Sequence, residues 1–304
     1  MVASPPSSVL TTYSAPSKAA PQPCHGEGNA AGAIPLPNPE AAPQAFLKRF
    51  WAEMQAQACC CADPLIRDLF GVNICDHHDF PSALASLLGA KLTDRALAEP
   101  VMTRLVAACL KANPAIAVAA AQDILATRER DPACHDLTTP FLFFKGWQAL
   151  QAHRIAHQLW LEGRRPLAYQ LQARVNELFG IDIHPAARLG QGLTIDHGTG
   201  IVIGETAIVE DNVSLFQNVT LGGTGHEEGA RHPIVREGAL VGAGAIVLGR
   251  VSIGRGAKVG AASVVLGNIP DYATAVGNPA RVVRLEPPNL VGPPAPFPNF
   301  GAQI

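Results

Sequence analysis

The chain has 304 residues, a formal net charge of −2 and 48% apolar residues, enough length and apolar content for two structural units. No basic run exceeds the pair Arg164–Arg165, and no apolar run approaches the ~20 residues of a membrane span, so neither a nucleic-acid partner nor a membrane is expected. The seven cysteines (Cys24, Cys59, Cys60, Cys61, Cys75, Cys109, Cys134) are odd in number and form no CxxC pair, which points to a reducing compartment; no His or second Cys cluster stands at ligand spacing from the Cys59–Cys61 triplet, so plain thiols and no metal are expected.

Residues 1–44 hold nine Pro, one Lys and two Glu. A segment so poor in apolar surface cannot offset the entropy of ordering it, and a disordered extension is expected. With only Lys18 as a basic residue and no apolar h-region, an uncleaved tail is favoured over a transit or secretory peptide. A cytoplasmic location follows, with an organelle as the alternative if the extension is a targeting segment.

Over residues 45–180 apolar residues recur every three or four positions, as in Phe46-Leu47-Phe50-Trp51-Met54 and Leu84-Leu87-Leu88, and the expectation is an α-helical domain. The strongest helices are predicted at Thr139–Gly163, capped by Thr139 with Pro140 behind it, and at Pro166–Phe179. His153 and His157 stand four apart on the first of these, a spacing that a metal could use. No HExxH accompanies them and Leu150, Ile155 and Leu159 are close neighbours, so a packing role is the reading preferred.

From Ile183 the period becomes six: Ile183, Leu189, Ile195, Ile201, Ala207, Val213 and Val219 each open a hexad. After an excursion, Gly225 to Ile234, it resumes at Val235, Val241, Val247, Ile253, Val259 and Val265. Neither a helix nor a flat sheet has this period, whereas three hexads make one triangular solenoid coil of about eighteen residues. The fold class expected is α+β, an all-α domain followed by a left-handed parallel β-helix over residues 181–283. Residues 284–304 contain six Pro and no helical period, and a flexible tail ending on Ile304 is expected.

The run DIHPAARLGQGLTIDHGTGIVIGETAIVEDNVSLFQNVTLGGTGHEEGARHP, followed by IVREGALVGAGAIVLG, resembles the serine O-acetyltransferases. DPACHDLTTPFLFFKGWQALQAHRIAHQLW resembles the helical domain of the same family, and together the match covers roughly residues 46–283. Hexapeptide repeats alone are shared with other acyltransferases and some carbonic anhydrases; the pairing of DIHP, DHGTG, LGGTG and RHP with this helical domain is far more specific. Two departures stand out: Gly198 where the family usually has Ala, and Ala230 where it usually has Asp.

A serine hydroxyl is a poor nucleophile at neutral pH, so its attack on a thioester needs a base of near-neutral pKa, and His197 at a hexad corner is the candidate. Asp182 lies fifteen residues earlier, almost one coil, where a carboxylate could fix the imidazole tautomer; capping a turn is its alternative role. Arg231 offers a planar fork to a carboxylate and His232 another donor. Asp131 and Asp196 could hold the ammonium and orient the hydroxyl, although a DP step before a helix also explains Asp131 as a cap. The resemblance implies these roles for Asp131, Asp182, Asp196, His197, Arg231 and His232. It also implies acetyl-CoA as donor, met by Gly223, Ala243, Lys258 and Ala261. A tetrahedral intermediate needs a donor for its oxyanion, and a backbone amide at the Gly222–Gly223 corner is the candidate.

Acetyl transfer from acetyl-CoA to L-serine by general-base catalysis in a ternary complex is therefore the activity expected, in the first step of cysteine synthesis. The alternatives are another hydroxylated acceptor, such as homoserine or a sugar, or a solenoid that transfers no acyl group, either a scaffold or a carbonic anhydrase. The resemblance further implies trimers or dimers of trimers, inhibition by cysteine, and docking of Ile304 into O-acetylserine sulfhydrylase.

Overall fold

Helices fill the chain from Pro43 to Phe179 and short strands fill it from Asp182 to Leu285, within the residues that the computed structural model describes: 36–59, 63–64, 66–225 and 228–286. Cys24, Cys60, Cys61 and Ile304 lie outside the described residues. The helices are α1 (Pro43–Cys59), α2 (Arg67–Phe70), α3 (Phe80–Leu92), α4 (Glu99–Ala112), α5 (Ala115–Arg130), α6 (Thr138–Phe143), α7 (Lys145–Leu161) and α8 (Arg165–Phe179). A turn of π-helix, Gly71–Cys75, follows α2 directly.

Local chemistry sets these limits. Asp79 caps α3 by accepting from the Ser82 N–H at 2.8 Å, with Pro81 in the first turn, and loss of such a cap costs about 1 kcal/mol. Aromatic residues weld the bundle: Phe50 meets Phe80 edge-on at 5.1 Å, and Phe141 meets Trp147 at 5.5 Å. The single helix expected over Thr139–Gly163 is two helices, because Phe144 takes an extended conformation (φ −87°, ψ 101°) between α6 and α7. Thr139 is not the cap: α6 begins at Thr138 behind Leu137, and Asp136, just ahead of them, accepts the Thr139 N–H on its Oδ1 at 2.7 Å. This break has a use, since it turns the start of α7 onto the solenoid. His153 is buried and stacked on His157 at 5.9 Å, while His157 donates Nδ1–H to the Pro185 carbonyl at 2.7 Å, tying α7 to the first coil.

The strands form a three-faced parallel β-solenoid. The first face stacks β1 (Asp182–Ile183), β4 (Val202–Ile203), β7 (Thr220–Gly222), β10 (Ile246–Leu248) and β13 (Val264–Val265). The second stacks β2 (Arg188–Leu189), β5 (Ile208–Val209), β8 (Ile234–Val235) and β11 (Ser252–Ile253). The third stacks β3 (Thr194–Asp196), β6 (Ser214–Phe216), β9 (Leu240–Val241), β12 (Lys258–Val259) and β14 (Ala273–Gly277), closed by antiparallel β15 (Ala280–Leu285).

Register corrects the unbroken run of hexads. Ile183 pairs with Ile203, Leu189 with Val209 and Ile195 with Leu215, so the stacked row steps eight residues from Ile195 to Ile203. Ile201, Ala207, Val213 and Val219 are buried as well, but each sits two places before the residue that stacks. The two extra residues fall at the corner between β3 and β4, where His197 stands. A second, longer insertion parts β7 from β8, with Leu221 and Val235 fourteen apart along the same row, and it carries Arg231 and His232.

A buried polar cluster helps to lock the two halves together. Asp123 on α5 is fully buried and accepts from Arg154 Nη2 at 2.7 Å, Gln151 Nε2 at 3.0 Å and the Leu193 N–H at 2.8 Å. Arg154 and Leu193 thereby hold a carboxyl whose pKa burial alone pushes upward. At the start of α7, Gly146 lies so close to β3 that a Cβ would come within 2.1 Å of the Ile195 carbonyl oxygen. The strand leading to His197 is thus gripped on both sides by helices.

Candidate active site

The corner after β3 is the first chemical feature. Its two extra residues let His197 adopt φ 56°, a left-handed conformation uncommon for a residue with a side chain, and hold the imidazole out from the coil with its side chain 75% exposed. Asp196 lies beside it, 3.9 Å from its Nε2. Both face a cavity of about 590 Å³ that Asp131, Lys145, Trp147 and Thr199 also line. Burial pushes the Asp196 carboxyl up, and repulsion from Asp131 adds to this while the neighbouring His197 opposes it. Asp131 ends α5, where its Oδ1 accepts from the Ala133 N–H at 2.8 Å, so its carboxylate caps the turn and lines the cavity at once. Lys145, which the sequence reading passed over, donates Nζ–H to the Thr199 hydroxyl across the mouth of this cavity. Its signal was the Lys-Gly step behind two Phe, at a helix break that no Pro marks.

Arg231 and His232 form a second cluster at a different corner. His197 precedes a first-face strand, β4, whereas Arg231 and His232 follow one, β7, so the two clusters sit at opposite ends of that face. His232 is only 7% exposed, its ring pressed against Gly204, where a Cβ would lie 2.0 Å from Nε2. The Thr206 N–H donates to its Nδ1 at 3.2 Å and the Thr206 hydroxyl meets the same atom at 2.9 Å. An acceptor Nδ1 leaves the ring proton on Nε2. Burial, with Arg231 beside it, holds the His232 pKa below its usual value, so the ring stays neutral and presents Nε2–H as a donor. Thr206 Oγ1 also accepts the backbone N–H of Arg231 (3.0 Å) and of His232 (3.1 Å), and Arg250 donates to the His232 carbonyl at 3.0 Å. Glu205 accepts from Arg231 Nη2 at 2.8 Å and orients the fork. The two residues that follow Ala230 are thus anchored to Glu205 and Thr206. Glu205 and Thr206 were legible only as polar residues in a hexad.

Asp182 is held from the helical side. It opens β1, pairs with Val202, and its Oδ1 accepts from Gln172 Nε2 on α8 at 2.6 Å. The carboxylate within 4 Å of the His197 ring is that of Asp196, and a partnership of Asp182 with His197 stays a proposal.

Comparison with known proteins decides the family. Residues 50–152 match the family "Serine acetyltransferase, N-terminal". The chain is 47% identical over 239 residues to the serine acetyltransferase of Salmonella typhimurium strain LT2, covering 78% of this chain and 88% of that one. A soybean serine acetyltransferase complexed with serine superposes with a TM-score of 0.76 at 45% identity, over 78% of this chain and 98% of the other. A serine acetyltransferase of Brucella abortus strain S19 in complex with coenzyme A does so with a TM-score of 0.75 at 41% identity, over 77% and 95%. The chain belongs to the serine acetyltransferase family.

Within this acetyltransferase the residues expected to meet coenzyme A divide in the same way as the substrate residues. Gly223 lies beside the second cluster, where a Cβ would come 3.4 Å from Arg231 Cγ and 3.5 Å from His232 Nε2. Ala243 and the residue after Ala261 are joined by a backbone hydrogen bond (Ala262 N–H to Ala243 O, 2.8 Å) in the ladder that climbs from the His197 corner. Lys258 on β12 lies 3.9 Å from Glu286. Small residues along that ladder leave room for an extended thioester arm against the backbone.

Proposed function

We propose that the acetyl group of acetyl-CoA passes directly to the hydroxyl of L-serine in a site built from the His197 corner of one chain and the Arg231–His232 corner of another. The observation that carries this reading is the division of the chemical groups between two ends of one solenoid face, with a base at one end and anion-binding donors at the other. A trimer of solenoids brings unlike corners together and so completes the site. His197 takes the proton from the serine oxygen as that oxygen attacks the thioester carbon. Asp131 and Asp196 hold the ammonium, and Arg231 holds the carboxylate. The Nε2–H of His232 and the Gly223 amide face the oxygen on which negative charge develops. As the C–S bond breaks, the thiolate of coenzyme A takes the proton from the His197 imidazolium. No acyl group rests on the protein, so both substrates are bound together.

Co-expression of His197→Ala and His232→Ala chains tests the shared site. Neither chain has a complete set, yet mixed trimers would regain roughly a quarter of the sites by random pairing. Mixtures as inactive as the parents would show that the site forms within one chain.

The acidic pair and Arg231 also suit cysteine, which carries the same ammonium and carboxylate, and competition with serine is the expected inhibition. Ile304 is proposed to dock its carboxylate and branched side chain into O-acetylserine sulfhydrylase; deletion of Ile304 should abolish binding of that enzyme and leave acetyl transfer intact. Among the described residues no single helix is long and apolar enough to cross a membrane, and the odd set of cysteines supports a reducing, cytoplasmic setting.

A further inference from the structure

The sequence offered seven thiols without a partner pattern, but folding puts two of them in contact. Cys59 is the last residue of α1 and is exposed; Cys75 ends the π-helical turn and is half-buried; their sulfurs lie 3.4 Å apart. That turn is itself unusual, with the Asp76 N–H reaching back to the Gly71 carbonyl at 3.0 Å, and the wide π-type winding shapes the end of the segment that carries Cys75. The partners are held on both sides. Gln55 on α1 donates to the His77 carbonyl at 3.0 Å, and Asn73 donates to the Leu69 carbonyl at 2.8 Å. Cys109 and Cys134, by contrast, are buried in the bundle.

We infer that Cys59 and Cys75 are a modification site: an oxidisable pair that closes a reversible disulfide between the end of α1 and the π-helical turn. The co-reactant is a small-molecule disulfide. The exposed Cys59 thiolate attacks one sulfur of that disulfide and expels the other as a thiol, giving a mixed disulfide on Cys59. The Cys75 thiolate then attacks Cys59 Sγ, forms the protein disulfide and expels the second small thiol. Two protein thiols lose two electrons and two protons, and one disulfide becomes two thiols. Exposure makes Cys59 the thiol that meets the reagent from solvent, while burial and its neighbour push the Cys75 thiol up to about 11, which leaves Cys75 the second of the pair to react.

The link would lie away from the cavity of Asp131, Asp196 and His197, though not isolated from it. Gln57, two residues before Cys59, accepts from the Leu137 N–H at 2.8 Å, and Glu53 accepts from Arg128 at 2.7 Å, so α1 buttresses the segment bearing Asp131. Closing the loop should therefore firm up this buttress without displacing a group that touches substrate.

The test incubates the purified full-length protein with oxidised glutathione, then counts thiols and maps cross-linked peptides under non-reducing conditions. The expected result is a fall from seven thiols to five, a Cys59–Cys75 peptide, single-chain mobility on a denaturing gel, and full reversal by dithiothreitol. A Cys60→Ser/Cys61→Ser variant should cross-link as the parent does, whereas Cys59→Ser and Cys75→Ser should each retain acetyl transfer and form no such link. Three outcomes would overturn the inference: seven thiols surviving the treatment, a link from Cys75 to Cys60 or Cys61, or a link between chains.

Discussion

Two corners of one solenoid face hold two histidines in opposite states. At the β3–β4 corner two added residues carry His197 outward, 75% exposed, in a left-handed backbone conformation, with a carboxylate 3.9 Å from its ring. At the β7–β8 corner a longer insertion folds back and buries His232, 7% exposed, with Nδ1 fixed by Thr206. The difference suits the two roles proposed for them. A general base must gain and lose a proton with each turnover, which an accessible ring beside an acid does readily. An electrophilic donor must stay neutral and keep its proton on one atom, which burial and a fixed tautomer secure.

Removal of His197 should break this comparison most severely. His197→Ala is expected to lower kcat by about 10²–10⁴-fold while coenzyme A binding is retained, as measured by steady-state kinetics and titration calorimetry. Near-normal turnover would shift the base to another residue. The opposite corner should respond in binding. Arg231→Ala removes a charge-assisted pair with the serine carboxylate and leaves Glu205 alone, and the serine KM should rise roughly 10–100-fold with a smaller change in kcat. Thr206→Val should lower kcat and raise the serine KM together, by smaller factors, because it removes the hydroxyl that meets His232 Nδ1 and accepts the backbone N–H groups of Arg231 and His232, while the backbone N–H of residue 206 still donates to Nδ1.

The repeat was legible because aliphatic residues return every six positions, a period no other common element shares. The insertion at His197 was hidden by the same regularity. Ile201, Ala207, Val213 and Val219 are themselves aliphatic and buried, so a count of hexads runs straight through the two extra residues. Residue chemistry pointed to His197, Asp196, Arg231 and His232, but their division between corners depends on coil length, which the hidden insertion altered. The break at Phe144 was harder to read, since the apolar run continues through it and the close fit of Gly146 on Ile195 that accompanies it is a tertiary contact. Cys59 and Cys75 meet through the tertiary path of α1, which no spacing encodes.

Acid sharpens the contrast between the histidines. Burial lowers the pKa of His153, His184 and His232 from the ordinary 6.5, so in the unfolded chain these rings take up protons that the folded chain resists. Their contribution to stability is present above pH 6.5 and is lost as pH falls through the depressed folded values. Asp196 has the opposite sign: its carboxyl is raised from 3.8, so its contribution is present below that value and is lost as pH rises through the folded pKa. The melting temperature should therefore fall between pH 7 and pH 5, and His153→Gln should flatten the fall. A melting temperature that is constant across this range would show that the three rings titrate alike folded and unfolded.

The smallest effect concerns Gly198, which stands where the family resemblance led Ala to be expected. Its φ of 70° favours glycine, and a Cβ there would come 2.6 Å from Ile181 Cδ1 and 3.0 Å from Ile195 Cγ2. Ile181 is fully buried beneath the corner, so its terminal methyl has little room to withdraw. Gly198→Ala should therefore cost on the order of 1–2 kcal/mol, read as a lower denaturation midpoint. The residue next to it is His197, so part of the strain should appear as a modest drop in kcat. Shortening the obstacle separates the two contributions. In the double variant Gly198→Ala/Ile181→Val the Cδ1 methyl is gone, and the steric part of the loss should be recovered while the cost of the left-handed backbone remains. If Ile181→Val restores nothing, the whole penalty lies in the backbone, and the corner that presents His197 is set by its φ angles alone.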